Sequence, residues 1–405
     1  MIRVSSRQDF CTREMEEIAA SSVGPMSTTG SLPTPAHPRE AEVIEVFRGG
    51  GAITRAGLAE VTGLSRSTIS AVVTRLVDEG AVKVVGHDER DGRGRPTEQV
   101  AVDRAALRAL GIDLAHGAAR VVALNTFGEV LASRQAEHEG SPGARRRHEL
   151  VERLLGELDL SSATPALRGI GLGISGPAAL TRPERAPWSG LVETLQARFA
   201  APVHVDNTTR FAAFAEHLAA GDNGRTTLHV RCYQGVGGAI VRDGALDLGA
   251  DGMAGEIGHL PVEMPGMTCR CGRSGCLETV ASTPAVLSAL RSHGIVLRSP
   301  AELRAVLEAR PPQLRGVLER VAHGIARALV LATTIVDPDE VILTGDLVDA
   351  DDALLETIRP LVAESVGERF PVIPLDRGRL DAFAGATGAA LVVLHPRRPG
   401  KDLFA

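Results

Sequence analysis

Aromatic side chains are scarce. One Trp, one Tyr and nine Phe in 405 residues argue against recognition through a broad stacking platform of the kind single-stranded nucleic acids need. Positive charge is not in excess either: 44 Lys and Arg against 50 Asp and Glu leave a formal charge of −6, so any DNA contact must be local. No apolar run approaches the ~18–20 residues that cross a bilayer, and residues 1–18 hold no signal-peptide apolar block. These absences predict a cytoplasmic protein with no membrane partner, where thiols stay reduced. The 5 cysteines are an odd number, and three crowd into Cys269, Cys271 and Cys276, which favours metal ligation over a disulfide framework.

What is present fits a soluble chain with a sizeable core, 44% hydrophobic and 23% charged, and at ~100–200 residues per domain the length implies two or three domains. Residues 1–38 are rich in Ser, Thr, Pro and Gly and read as a disordered tail, with a modest helix possible at Thr12–Ala20. Residues 39–103 read as three short helices and a hairpin. Val43, Ile44 and Phe47 share one face of the first helix. Thr54 caps a second, whose apolar residues are Leu58 and Val61 before a turn at Gly63. Ser65 caps a third with Ile69, Val72, Val73, Leu76 and Val77 at helical spacing, stopped by Gly80. AVKVV and TEQVAV then alternate as strands around the loop HDERDGRGRP. From Ala109 onward, Gly-punctuated strands such as LGIDLA and GIGLGISGP alternate with Ala/Leu/Arg-rich helices, the pattern of an α/β fold. The theme occurs twice, before Asp206 and from Leu228, which predicts two related lobes around a cleft: residues 104–209 with the Gly/Ala-rich helix at 382–396 packed back on them, and residues 210–381.

Two helices joined through VTGLS form a helix-turn-helix, whose second helix enters the major groove. Its apolar face is taken by Ile69, Val73 and Leu76. That leaves Arg66, Ser67, Thr68, Ser70 and Thr74 for bases and phosphates. In the wing, Gly92 and Gly94 let the backbone approach DNA while Arg93 and Arg95 enter a narrow minor groove. The competing reading is a protein-contact module, since residues 39–98 hold 9 basic and 10 acidic side chains. Helices, turn and basic wing occurring in order favour DNA.

His259 precedes C-R-C-G-R-S-G-C. One imidazole and three thiolates, from His259, Cys269, Cys271 and Cys276, complete a tetrahedral zinc site with no open position, hence a structural one. Cys11 and Cys232 have no such company.

From about Leu110 to Leu394 these segments resemble the ROK family of sugar kinases and repressors. The most specific matches are AGEIGHLPV at Ala254–Val262 and CRCGRSGCLE at Cys269–Glu278, with GIGLGISGP at Gly169–Pro177 and the Gly235–Gly238 turn. The resemblance implies an actin/hexokinase-like fold of two α/β lobes, preceded in the repressor branch by a winged helix-turn-helix. It implies the same four zinc ligands, and a sugar held by Asn207, Glu256, His259 and Glu278 with Thr208 beside them. Those residue types suit a polyol ligand. Carboxylates accept from vicinal hydroxyls, Asn both donates and accepts, and a metal-bound His keeps one ring nitrogen for a ligand. Read without the family, Glu256, His259 and Glu278 are equally a shell around zinc or solvated charges.

Three departures bear on activity. The resembling kinases place an Asp after the Asn of VDN as the base, where this chain has Thr208, whose hydroxyl has no accessible pKa for that work. Their Asp-x-Gly-Gly-Thr phosphate loop is here Asp113–Ala118, which lacks the paired glycines. Their adenosine-side glycine triplet is here Thr344, Gly345 and Asp346. Asp206 is no replacement, because strand alternation turns it away from Asn207. The expectation is a sugar-responsive DNA-binding regulator and repressor, not an enzyme and without ATP, carrying one structural Zn2+ per chain and bound to its operator as a homodimer or homotetramer. The rival is an active ATP-dependent sugar kinase with an accessory DNA-binding domain. A third reading leaves the sugar site vestigial, with control by a protein partner.

Overall fold

The computed structural model describes residues 39–395 apart from 48–49, 89–96, 116, 139–141, 159–166, 177–187, 222–223, 298–299, 351 and 367–370. The expected tail, its helix at Thr12–Ala20, Cys11, and the wing residues Arg93 and Arg95 lie outside the described residues.

The first unit contains α1 (Glu40–Val46), β1 (Ile53–Thr54), α2 (Arg55–Thr62), α3 (Arg66–Asp78), β2 (Val82–Asp88) and β3 (Thr97–Val102). Both caps form as the sequence predicts: Thr54 Oγ1 accepts from Gly57 N at 3.0 Å and Ser65 Oγ from Thr68 N at 3.1 Å, meeting backbone donors that a helix start leaves unpaired. Gly63 ends α2 with φ 70°. Val43, Phe47, Leu58, Ile69, Val72, Val73 and Leu76 make one core. Val61 does not join it. It is 66% exposed, because α2 is only two turns long and Leu58 fills its inward face. The two-residue β1 adds a third strand, antiparallel to β3 at Ile53 and Val100, too short to show as a periodic pattern.

Two five-stranded sheets follow, built to one plan. In the first, β4 (Ala109–Ala115), β5 (Ala118–Leu124), β6 (Val130–Glu137), β7 (Gly169–Ile174) and β8 (Val203–Asn207) lie in the order β6-β5-β4-β7-β8. In the second, β9 (Thr227–Cys232), β10 (Val236–Arg242), β11 (Ala245–Asp247), β12 (Glu340–Gly345) and β13 (Leu375–Arg377) lie in the order β11-β10-β9-β12-β13. In each, three antiparallel strands are extended by two parallel ones. Helices α4 (Ala144–Glu157) and α5 (Ser189–Phe199) cover the first sheet. The second is backed by α8 (Thr283–Ser292), α9 (Pro300–Ala309), the 25-residue α10 (Pro312–Val336), α11 (Asp346–Ala350) and α12 (Ala353–Val366).

Between the lobes run α6 (Thr208–Ala219) and α13 (Ala384–Leu394). The Gly/Ala content of α13 is explained by its fit: a Cβ on Gly111 of β4 would sit 1.8 Å from Ala386 O, and one on Gly388 would sit 1.7 Å from Phe211 O. Only a missing side chain lets the backbones approach this closely. Among the described residues, no helix is long and apolar enough to cross a membrane.

Candidate functional site

On α3, Arg66, Ser67, Ser70 and Thr74 are exposed while Ile69, Val72, Val73 and Leu76 are buried, as helical spacing predicts. Thr68 is half-buried, with its hydroxyl 2.8 Å from Ser65 Oγ, so it serves the cap. Arg55, absent from the sequence expectation, braces this helix. Its guanidinium donates to Ser70 O at 3.1 Å and to Thr74 Oγ1 at 3.2 Å, and so ties the start of α2 to the exposed face of α3.

His259 lies at the end of a 3-10 turn (Ile257–His259), and Cys269, Cys271 and Cys276 follow in a Gly-turned loop before the short α7 (Glu278–Ala281). Their ligand atoms all lie within 4.8 Å of one another. His259 Nδ1 is 3.7 Å from Cys269 Sγ, and Cys271 Sγ is 3.7 Å from Cys276 Sγ. A tetrahedron with metal–sulfur bonds of ~2.3 Å has edges of about 3.8 Å, so the donor set fits zinc. Burial pushes the Cys276 thiol up to about 12, so a thiolate there needs a cation beside it.

The cleft residues are grouped by the hairpin between β9 and β10. A Cβ on Gly235 would lie 2.8 Å from Glu278 Oε2, one on Gly237 2.7 Å from Thr209 Oγ1, and one on Gly238 2.4 Å from Gly255 O. The bare hairpin thereby seats the segments carrying Glu278, Asn207–Thr209 and Glu256 around itself, a larger role than keeping a turn's shape. Asn207 caps α6: Oδ1 accepts from Thr209 N at 2.7 Å and Nδ2 donates to Gly176 O at 3.0 Å. Glu256 is half-buried, and desolvation raises its carboxyl above the ordinary value, partly offset by Arg210 and His259. Glu278 already has partners, accepting from Arg270 Nε and Nη2 at 2.7 Å each and from Val236 N at 3.1 Å. Arg270 therefore joins Asn207, Thr208, Glu256, His259 and Glu278 as a sixth side chain here, one that sequence reasoning passed over. Asp206 is buried and committed to an ion pair, 2.8 Å from Arg210 Nη1.

Deeper in, Thr208 Oγ1 donates to Asp113 Oδ1 at 2.6 Å. Asp113 is fully buried, and desolvation raises its carboxyl above the ordinary range against the pull of Thr208, Arg231 and Arg120. A Cβ on Gly385 of α13 would lie 2.5 Å from both Asp113 Oδ2 and Thr208 Oγ1, so α13 closes over the pair. On the second lobe, Tyr233 Oη donates to Asp349 Oδ2 at 2.5 Å and Thr283 donates to Asp346.

The ROK family model matches residues 109–395, most of the chain. The chain belongs to the ROK family. A MarR family model matches residues 37–94, the winged-helix unit. The chain is 26% identical over 364 residues to the N-acetylglucosamine repressor of Escherichia coli O6:H1, covering 84% of this chain and 89% of that protein. It is 24% identical over 361 residues to the xylose repressor of Bacillus spizizenii, covering 85% and 91%. Its fold is similar to that of a ROK family transcriptional regulator, a homolog of the E. coli MLC protein, with a TM-score of 0.71 at 21% identity over 88% of this chain and 96% of that one. The ROK fold and the winged helix expected from the sequence are thus both found. Arg55 left no signal because its partners Ser70 and Thr74 lie 15 and 19 residues away, while Arg210 and Arg270 pair with the nearby Asp206 and Glu278 at spacings that equally suit a surface ion pair.

Proposed function

We propose that this ROK family chain is a sugar-responsive transcriptional regulator, acting as a repressor. Its winged helix binds operator DNA, and its inter-lobe cleft binds a carbohydrate that it does not phosphorylate. The observation that carries the second half is the Thr208–Asp113 hydrogen bond under Gly385. A phosphoryl transfer to sugar needs a base that takes the hydroxyl proton, and the base position of the resembling kinases holds a hydroxyl that donates a hydrogen bond to a buried carboxylate. Asp346 and Asp349 on the nucleotide side repel polyphosphate and reinforce that reading.

In the cleft, Glu256 and Asn207 supply hydrogen-bonding atoms for sugar hydroxyls, His259 orients from the metal side, Thr208 borders the floor, and Glu278 with Arg270 forms a charge-paired wall. A zinc ion held by His259, Cys269, Cys271 and Cys276 would cross-link the loop that carries these groups. On DNA, Ser67, Ser70 and Thr74 read base edges, Arg66 takes phosphate, and Arg93 and Arg95 reach the minor groove. An operator with two half-sites calls for a homodimer or homotetramer, acting in the cytoplasm.

The test pairs two assays on the full chain: thermal melting with N-acetylglucosamine, xylose and glucose, and sugar-dependent ADP release with ATP. One sugar is expected to raise the melting temperature, since a ligand of the folded state stabilises it, with no ADP formed. ADP release above background that Asn207→Ala abolishes would establish the kinase instead.

A further inference from the structure

Five alternating charges join the winged helix to the first lobe. Arg168 Nη1 lies 2.7 Å from Glu40 Oε1, and Glu40 Oε2 lies 2.5 Å from Arg75 Nη2. Arg75 Nε is 3.7 Å from Glu79 Oε1, and Glu79 Oε2 is 2.5 Å from Arg108 Nη2. Arg108 Nη1 also donates to the carbonyl of Glu79 at 2.6 Å. The series begins and ends in lobe 1, and between those ends it passes through α1 and the recognition helix α3. Exposed ion pairs of this kind hold little. Here the side chains of Glu40 and Arg108 are 4% and 1% exposed, so solvent screens their attraction little, and a charge left alone there is costly. An apolar contact runs alongside. Phe127, on the turn between β5 and β6, is buried in the winged-helix core with Arg104 4.8 Å above its ring.

The positions of the two arginines give this joint a direction. Arg108 immediately precedes β4 and Arg168 immediately precedes β7, and Arg168 N donates to Arg108 O at 2.8 Å. β4 and β7 are parallel neighbours. Towards its far end β4 carries Asp113, which receives the Thr208 hydroxyl, and just past the end of β7 the carbonyl of Gly176 receives Asn207. Six residues of strand at ~3.3 Å each make a stiff spacer of about 20 Å between the cleft and the recognition helix. Only residues 103–108 connect the two units along the chain, so without the joint the winged helix would swing on a short linker.

We propose that Arg108 and Arg168 are positioning residues for DNA recognition: through Glu40, Arg75 and Glu79 they fix α3 to lobe 1, so that the two move as one body. Closure of the cleft then re-aims the recognition helix relative to lobe 2, and through it relative to a second copy of the chain. This last step rests on the reading of the chain as a sugar-responsive regulator. The rigid joint itself does not.

Two measurements separate them. Spin labels carried on unnatural amino acids at Val61 of α2 and Leu131 of β6, both exposed, leave the cysteines untouched and report the inter-unit distance by double electron–electron resonance, with neither DNA nor sugar present. The full chain should give one narrow distance distribution, and Arg168→Gln and Glu40→Gln should each broaden it while far-ultraviolet circular dichroism stays unchanged. Arg168→Lys, which keeps the charge, should restore most of the narrowness. A broad distribution in the unaltered chain, or equal widths in all variants, overturns the joint. The second arm titrates operator DNA with and without N-acetylglucosamine and xylose. A sugar effect of about 5–150-fold on operator affinity should fall towards unity in Arg168→Gln, with sugar affinity itself unchanged. A full sugar effect in that variant overturns the positioning role. If neither sugar changes operator binding in any protein, the regulator reading is what fails, and the distance widths still decide the joint.

Discussion

Thr208 Oγ1 donates a hydrogen bond to Asp113 Oδ1 across 2.6 Å, in a space that α13 leaves open only because residue 385 has no side chain. This pair is a closed structural contact. Desolvation is the largest influence on the Asp113 carboxyl, and it raises the pKa.

The first prediction follows from that direction. With its folded pKa above the unfolded one, Asp113 binds a proton more readily in the native state, so its contribution to stability grows as pH falls from neutral towards the ordinary carboxylate range. Asp113→Asn removes the buried charge, and its amide oxygen still accepts from Thr208. The variant should melt above the unaltered chain near pH 8, and the gap should narrow as pH drops towards 5. Melting curves across that range check it. A variant that melts lower throughout would mean the carboxylate is needed as an anion.

Metal content is the second. Elemental analysis should find about one zinc per chain, and Cys271→Ser should lower it. Because ligand set and fold form together, a strong chelator should lower the melting temperature of lobe 2. The zinc assignment fails if the metal-free chain melts unchanged.

A third prediction concerns the recognition helix. Ser65→Ala removes the cap of α3 and should cost about 0.5–2 kcal/mol of stability. Arg55→Ala removes a cation from beside the exposed face of α3 and should weaken binding to every DNA sequence, whereas Ser70→Ala should relax sequence preference without lowering affinity for random DNA. Gel-shift titrations on operator and random DNA distinguish the two. Equal loss on both DNAs for Ser70→Ala would remove that residue from base reading.

The fourth concerns the effector. A carboxylate bonded to a buried hydroxyl contributes about 1.5–3 kcal/mol, so Glu256→Ala should weaken the sugar roughly ten- to hundredfold while leaving operator affinity without sugar nearly unchanged. Calorimetric titration and operator binding read the two effects separately. Identical sugar responses in both proteins would place the effector outside this cleft.

Much of this architecture was legible because it rests on local chemistry. Caps at Thr54 and Ser65, the apolar stripe of α3 and the Cys-Arg-Cys spacing each involve residues a few positions apart. The repeat of the α/β theme was visible as two Gly-rich strand clusters, and the near contact of α13 followed from its small residues. What stayed hidden joins distant positions. Glu40 pairs with Arg168 across 128 residues, and nothing in the local pattern around Glu40 marks it as buried. Val61 misled because an apolar side chain on a two-turn helix fits either face. Arg270, between two thiols, carries no pattern of its own in the sequence, and its bidentate contact with Glu278 exists only in the folded loop.

The return of α13 to the first lobe also orders events during synthesis. The winged helix leaves the ribosome before either lobe, and the strands that follow Arg108 and Arg168 emerge next. Yet Gly111 on β4 meets Ala386 and Gly171 on β7 meets Ala389, partners made only after nearly all of lobe 2. The lobe that seats the DNA-reading helix thus waits for α13, which lies beyond all of lobe 2 in the sequence. A truncation before residue 384 would leave an intact winged helix on an unfinished support, so losing α13 should disable control without touching the exposed face of α3.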